Sequence, residues 1–205
     1  LVEGQQTNCL SCSGCTASVV YLVNATIEPY AFYACSSVRE VHIYGSLGNI
    51  PDNMFRYSSG ITTVYIDDSF VGVIGEYAFS ASAMAFITSL YIGAGVTGIG
   101  RGAFDMSLAM TSELVIPDSV KYIGNDAFVV SRIASLRIGS GVETIGSSAF
   151  GSSPHLASVV IPDNVRSIGR GAFSACRSLT SVSFGSGVQS IGEDAFSYAS
   201  ITSLV

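Results

Sequence analysis

The sequence predicts a repeat solenoid of about eight rungs, each about 23 residues long, with a parallel β-sheet on one face and short 3₁₀ or helical turns and loops on the other. Two recurrences carry this expectation. Ala-Phe appears at Phe32, Phe79, Phe104, Phe128, Phe150, Phe173 and Phe196, with Met54-Phe55 filling the one gap, so the Phe-to-Phe spacings are 23, 24, 25, 24, 22, 23 and 23. An Ile stands five residues before every one of these phenylalanines, from Ile27 to Ile191, and in six of the eight cases a Gly follows it.

Each element of the rung then follows in order. After Ala-Phe comes a polar stretch and an apolar pattern of the form L-x-x-L-x-I, as in Val38/Val41/Ile43, Ile61/Val64/Ile66, Ile87/Leu90/Ile92 and Leu156/Val159/Ile161. Its last two apolar positions alternate with polar ones, which is strand periodicity. The copy ending Leu114/Ile116 has Thr111 in its first position. A corner follows, either Gly93-Ala94-Gly95, Gly139-Ser140-Gly141 and Gly185-Ser186-Gly187, or Pro117-Asp118-Ser119 and Pro162-Asp163-Asn164. Gly supplies positive φ, and Pro with Asp or Asn builds a turn by a different route, so these read as two chemistries for one task. Val-x-x-Ile then leads back to Ala-Phe and can add a second narrow ladder. One rung buries too few apolar side chains to offset the ordering of its backbone, so stacking is obligatory. The division expected is a cysteine-rich N-terminal cap over 1–19 and a solenoid over 20–205, its last repeat incomplete.

Composition narrows the function classes. The net charge is −6 and the 9 basic residues, of which Lys121 is the one lysine, are scattered, which argues against nucleic acid. Apolar residues make up 48% of the chain, yet no run approaches the roughly 20 residues of a membrane span. The chain begins at Leu1 without a basic-then-apolar leader and ends within a repeat, so it is expected to be a processed product or a fragment of a longer array.

The unit V-x-x-I-G-x-x-A-F-x-x-C-x-x-L-x-x-L-x-I-P, matched nearly position by position by Arg166–Val182, resembles the BspA-type leucine-rich repeat. The resemblance covers about residues 20–205. It implies a leucine-rich-repeat-like solenoid of surface and secreted proteins that serve adhesion and recognition. It brings no catalytic residues and no cofactor. The family's cysteine is kept at Cys35 and Cys176 and replaced elsewhere.

Cys35 and Cys176 lie six rungs apart, roughly 29 Å at the parallel-strand spacing, far beyond disulfide reach. Cys176 is therefore expected as a buried free thiol. Cys9, Cys12 and Cys15 precede the first rung. With Cys35 as a partner they would staple the cap by disulfides, and four cysteines allow three pairings. Zinc usually takes four ligands and no His is nearby, so metal is the weaker alternative, with unpaired thiols the remainder. Asn24-Ala25-Thr26 is a glycosylation sequon at a corner. Sequon, cysteine-rich cap and resemblance together point to an extracellular or cell-surface chain.

His42 and His155 lie about five rungs apart and cannot form one site, and the acidic pairs Asp67-Asp68 and Glu193-Asp194 read as solvated turns without a calcium-loop pattern. An enzyme is not expected, and neither is a metal. What remains for binding is the outward strand column Tyr21, His42, Tyr65, Tyr91, Val115, Arg137, Val160, Ser183. Its aromatic half, with Arg137 further along, is the expected contact surface for a protein or glycan, since Tyr gives area at little entropic cost. Strands favour Tyr in any case, which is the plainer explanation. The unfinished last strand raises a second possibility, a coat or fibre subunit that self-associates end to end.

Overall fold

The computed structural model describes residues 12, 16–24, 26–45, 48–81, 87–110 and 113–204. Fifteen short strands, all paired in parallel, form two ladders, and no helix is present among the described residues. The first ladder contains the L-x-x-L-x-I segments. Val19–Val23, Glu40–Tyr44, Thr63–Ile66 and Ser89–Ile92 make one four-stranded sheet. Leu114–Val115 then pairs with Leu136–Arg137, and Ser158–Ile161, Ser181–Phe184 and Ser203–Leu204 make a third piece. The second ladder comes from Val-x-x-Ile and runs unbroken through six strands, from Gly72–Ile74 to Ser190–Ile191.

The first of the two breaks in this ladder, between Ser89–Ile92 and Leu114–Val115, falls where the spacing of the phenylalanines is longest. Ile87 bridges Leu108, and the core there is filled by Leu108 and Met110, both buried. Thr111, the residue expected in that position, lies outside the described residues.

The Ala-Phe side differs from expectation. In place of a short helical turn, each rung makes successive β-turns that hydrogen-bond to the next rung. Asn53, Phe55 and Tyr57 donate their N–H groups to the carbonyls of Glu76, Ala78 and Ser80, each at 2.8 Å. The residues between them, such as Arg56 and Ser58, donate back three positions within their own turn. This alternation requires left-handed backbone two residues before and two after the Phe, and Tyr30, Ala34, Asn53, Tyr57, Asp126, Val130, Ser148 and Ser152 all have φ between 53° and 64° there. A helix would turn these N–H groups inward and orphan the carbonyls of the neighbouring rung.

The core is one continuous cluster. At its centre the phenylalanines from Phe32 to Phe196 stack as a column, with centroids 5.3 Å apart and planes nearly parallel in most pairs. Three residues after the Phe sits the family's Cys position, held by Ser58, Ser107, Ser131 and Ser153, all buried. Ser107 and Ser131 donate to the carbonyls of Phe104 and Phe128, and Ser58 donates to that of Phe32. Cys176 Sγ donates to the Phe150 carbonyl at 3.3 Å, so Ser replaces Cys without leaving an unpaired polar group. Cys176 is free and buried, and burial pushes its thiol up to about 11.

At the N-terminal end Cys12 is disulfide-bonded to Cys35, with Cα atoms 5.6 Å apart. The Cys12 N–H also donates to the Ala31 carbonyl at 2.8 Å, filling the acceptor that a preceding rung's Phe would fill, as Phe32 does for Met54. Cys9 and Cys15 lie outside the described residues.

Candidate functional site

The register of the first ladder pairs Tyr21 with His42, His42 with Tyr65, and Tyr65 with Tyr91. Their neighbours in the strands (Val20, Leu22, Val41, Ile43, Val64, Ile66) are buried, so alternation turns these four outward. The rings lie against one another: Tyr21–His42 stacked at 5.0 Å, His42–Tyr65 tilted by 38° at 5.9 Å and Tyr65–Tyr91 stacked at 5.0 Å. Tyr44 joins them, 5.9 Å from Tyr65. It stands two residues after His42 on the same strand face, and that period-two position is the signal by which the sequence could have placed it.

Acidic groups hold the polar edge of this row. Tyr65 donates its hydroxyl to Asp67 Oδ2 at 3.1 Å, Tyr91 to Asp68 Oδ1 at 3.0 Å, and His42 Nε2 lies 3.2 Å from Glu40 Oε2. These bonds to carboxylates raise the Tyr65 and Tyr91 hydroxyl pKa values, and burial, followed by the nearby Asp67 charge, raises that of Tyr44. Asp67 is held below the ordinary carboxylate range, first by the Ser69 hydroxyl and backbone N–H. The result is a row of ring edges and hydroxyls fixed beside three carboxylates, with the ring faces largely occupied by one another.

Arg137 is not part of this group. It is exposed on the strand Leu136–Arg137, one strand beyond Val115, past the break in the ladder, and its charge acts on Asp118. Asn24 is exposed at the corner after Val19–Val23, with φ of 48°.

Three features escaped the sequence reading. The first is a corner pairing. Asp68, Asp118 and Asp163 each accept the backbone N–H of the middle residue of the next corner, Ala94, Ser140 and Ser186, at 2.7–2.8 Å. A Cβ on Gly95, Gly141 or Gly187 would overlap a carbonyl oxygen of the preceding corner. Asp corners and Gly-x-Gly corners therefore alternate because each needs the other, and they are not interchangeable solutions. The second is a cationic aromatic group on the turn side, where Arg56 lies over the rings of Tyr57 and Tyr77 at 4.9 and 4.6 Å and Arg101 lies 5.8 Å from Tyr77. The third is a groove beside the second ladder, floored by glycine.

The BspA-type leucine-rich-repeat model matches this chain in 6 copies over residues 7–113 and 97–205. The chain belongs to the BspA-type leucine-rich-repeat family. A leucine-rich repeat protein from Bacteroides ovatus is similar to this BspA-type array at 25% identity and a TM-score of 0.76, over 88% of this chain and 45% of that one. The array thus spans less than half of that relative. The Treponema pallidum leucine-rich repeat protein is similar at 25% identity and a TM-score of 0.51, over 83% of this chain and 74% of that one. A Eubacterium ventriosum leucine-rich repeat protein, at 17% identity and a TM-score of 0.54 over 91% of this chain and 60% of that one, shares the fold. No curated protein matches the sequence. No helix among the described residues is long and apolar enough to cross a membrane.

Proposed function

We propose that this BspA-type array is an extracellular recognition module that works by binding rather than catalysis, and that it engages a protein partner through the aromatic quarter of its strand face. The observation that carries this reading is the stacked row Tyr21–His42–Tyr65–Tyr91 with Tyr44 at its side. A row whose faces are stacked internally offers edges and oriented hydroxyls, which suits the uneven, polar surface of a protein. A sugar ring would need a free aromatic face, so the strand face favours protein over glycan. The rings are already fixed by neighbours and by Asp67 and Asp68, so little side-chain entropy remains to be lost on binding. The carboxylates of Glu40, Asp67 and Asp68 along one edge favour a basic segment in the partner. Surface location is part of the same reading and rests on family membership, the Cys12–Cys35 disulfide and the exposed sequon residue Asn24.

The test is binding of the labelled chain to a panel of purified extracellular-matrix and cell-surface proteins. A Tyr65→Ser/Tyr91→Ser variant is run in parallel and checked for unchanged thermal melting. Loss of two central aromatic contacts should weaken a partner by about 30-fold or more. Equal binding by both chains would remove the strand face from consideration.

A further inference from the structure

The groove beside the second ladder was absent from the sequence reading, and the strand-face role does not use it. Its floor is a line of stacked glycines, Gly75, Gly100, Gly124 and Gly146, and its volume is about 750 Å³. It crosses the rungs from Ile50 to Thr144, roughly 19 Å at the parallel-strand spacing. The floor is bare for a structural reason: a Cβ on any of these glycines would press into backbone atoms of the preceding rung. Each glycine N–H is committed to the carbonyl of the Ile one rung back, at 2.8–2.9 Å.

Along the groove stand Asp52, Glu76, Arg101, Tyr122, Asn125 and Thr144. Several are fixed. Asp52 accepts the Glu76 N–H at 2.7 Å, Asn125 accepts the Ser147 N–H at 2.8 Å, and Arg101 lies 3.6 Å from Asp126. Tyr122 is 39% exposed and reclines over Gly98, so that a Cβ there would overlap its Cε1 and Cζ atoms. Unlike the strand-face tyrosines, it has no ring or guanidinium stacked against it among the described residues.

We propose that this groove binds an extended, neutral oligosaccharide lying along the solenoid axis, with one sugar ring over Tyr122. The floor has its N–H donors already spent, so a peptide cannot dock on it by strand addition. The walls supply carboxylate, amide, hydroxyl and guanidinium groups within a few rungs, which fits a chain dense in hydroxyls. Acidic and basic groups occur together, which favours neutral sugars over charged ones. The proposal is independent of the strand-face reading, since no residue is shared.

The chain contains no Trp, so Tyr122→Trp places a single reporter in the groove of the full 205-residue chain. The probes are cellopentaose, chitopentaose, xylopentaose, maltopentaose and laminaripentaose, with an extended Gly-Ala decapeptide as the competing ligand class. At least one pentasaccharide should change the Trp emission saturably. By calorimetry on otherwise native chains, Tyr122→Ala and Glu76→Gln should each weaken that sugar by tenfold or more, while Tyr65→Ser/Tyr91→Ser should leave it within twofold. Absence of a response to all five sugars, binding insensitive to Tyr122→Ala, or saturable binding of the decapeptide instead would overturn the proposal.

Discussion

Between Val19 and Ile92 the strand face carries stacked aromatic rings, whereas between Ser158 and Ser203 the same columns carry Ser158, Ser181, Ser203, Val160 and Ser183. Beneath both regions the core is the same. The phenylalanine column keeps its 5.3 Å step through Phe55–Phe79 and through Phe150–Phe173, and the second ladder runs without a break from Gly72–Ile74, late in the aromatic region, to Ser190–Ile191. The scaffold therefore does not require tyrosine on the outside, since serine at the same positions gives the same rung. On the proposed reading, that difference assigns binding to the aromatic half and makes the serine half a spacer.

If the two halves share one core, removing a phenylalanine from either should cost the same. Phe55→Ala and Phe150→Ala are each expected to lose about 3–5 kcal/mol, with values close to each other in denaturant titrations of the two variants. A large inequality would mean that the aromatic surface row stabilises its own half.

Reduction is the next largest effect and should be one-sided. Opening the Cys12–Cys35 bridge, which closes a 23-residue separation, should cost about 3 kcal/mol. Hydrogen exchange should then rise in the rungs near Phe32 and hardly at all near Phe173. Uniform loosening along the array would show that the cap supports all rungs cooperatively.

Acid should distinguish the halves less sharply. Asp67 and Asp118 are both held below the ordinary carboxylate value of 3.8, each chiefly through the serine it faces, Ser69 and Ser140. A lowered native pKa means that the unfolded chain binds more protons in acid. The stabilisation is therefore complete well above about 3.9 and is lost as pH falls through the lowered native values. Melting temperatures of Asp67→Asn and Asp118→Asn should lie below that of the native chain at pH 6 and converge with it near pH 2. The smallest effect expected is a gain. Val130 is 44% exposed and left-handed, with φ of 55°, so Val130→Gly should raise stability by about 1 kcal/mol despite the added chain entropy. Gly102 and Gly171 already occupy the rung's other left-handed place, two residues before the Phe.

Much of this was legible in the residues. The recurrence of Phe, Ile and Gly defined the rung, the alternation in Thr63–Ile66 and Ser158–Ile161 set which side chains face out, and the register places Tyr21, His42, Tyr65 and Tyr91 in one row. What could not be read was anything that depends on contact between rungs. The left-handed Tyr57 and Ser152 show no glycine in the sequence, because their strain is compensated by carbonyls about a rung away. The groove is invisible for a related reason: Gly75 and Gly124 read only as a recurring residue after Ile until their stacking shows a floor.

Read alone, the chain specifies a stacked solenoid and the outward columns of its strands, because periodicity is a local property that every rung repeats. Three things were settled only when the rungs were in place: that the tyrosine faces of the strand side are occupied by one another, that Tyr122 stands clear, and that Arg137 lies apart. Each depends on the distance and tilt between neighbouring rungs, which no single repeat contains.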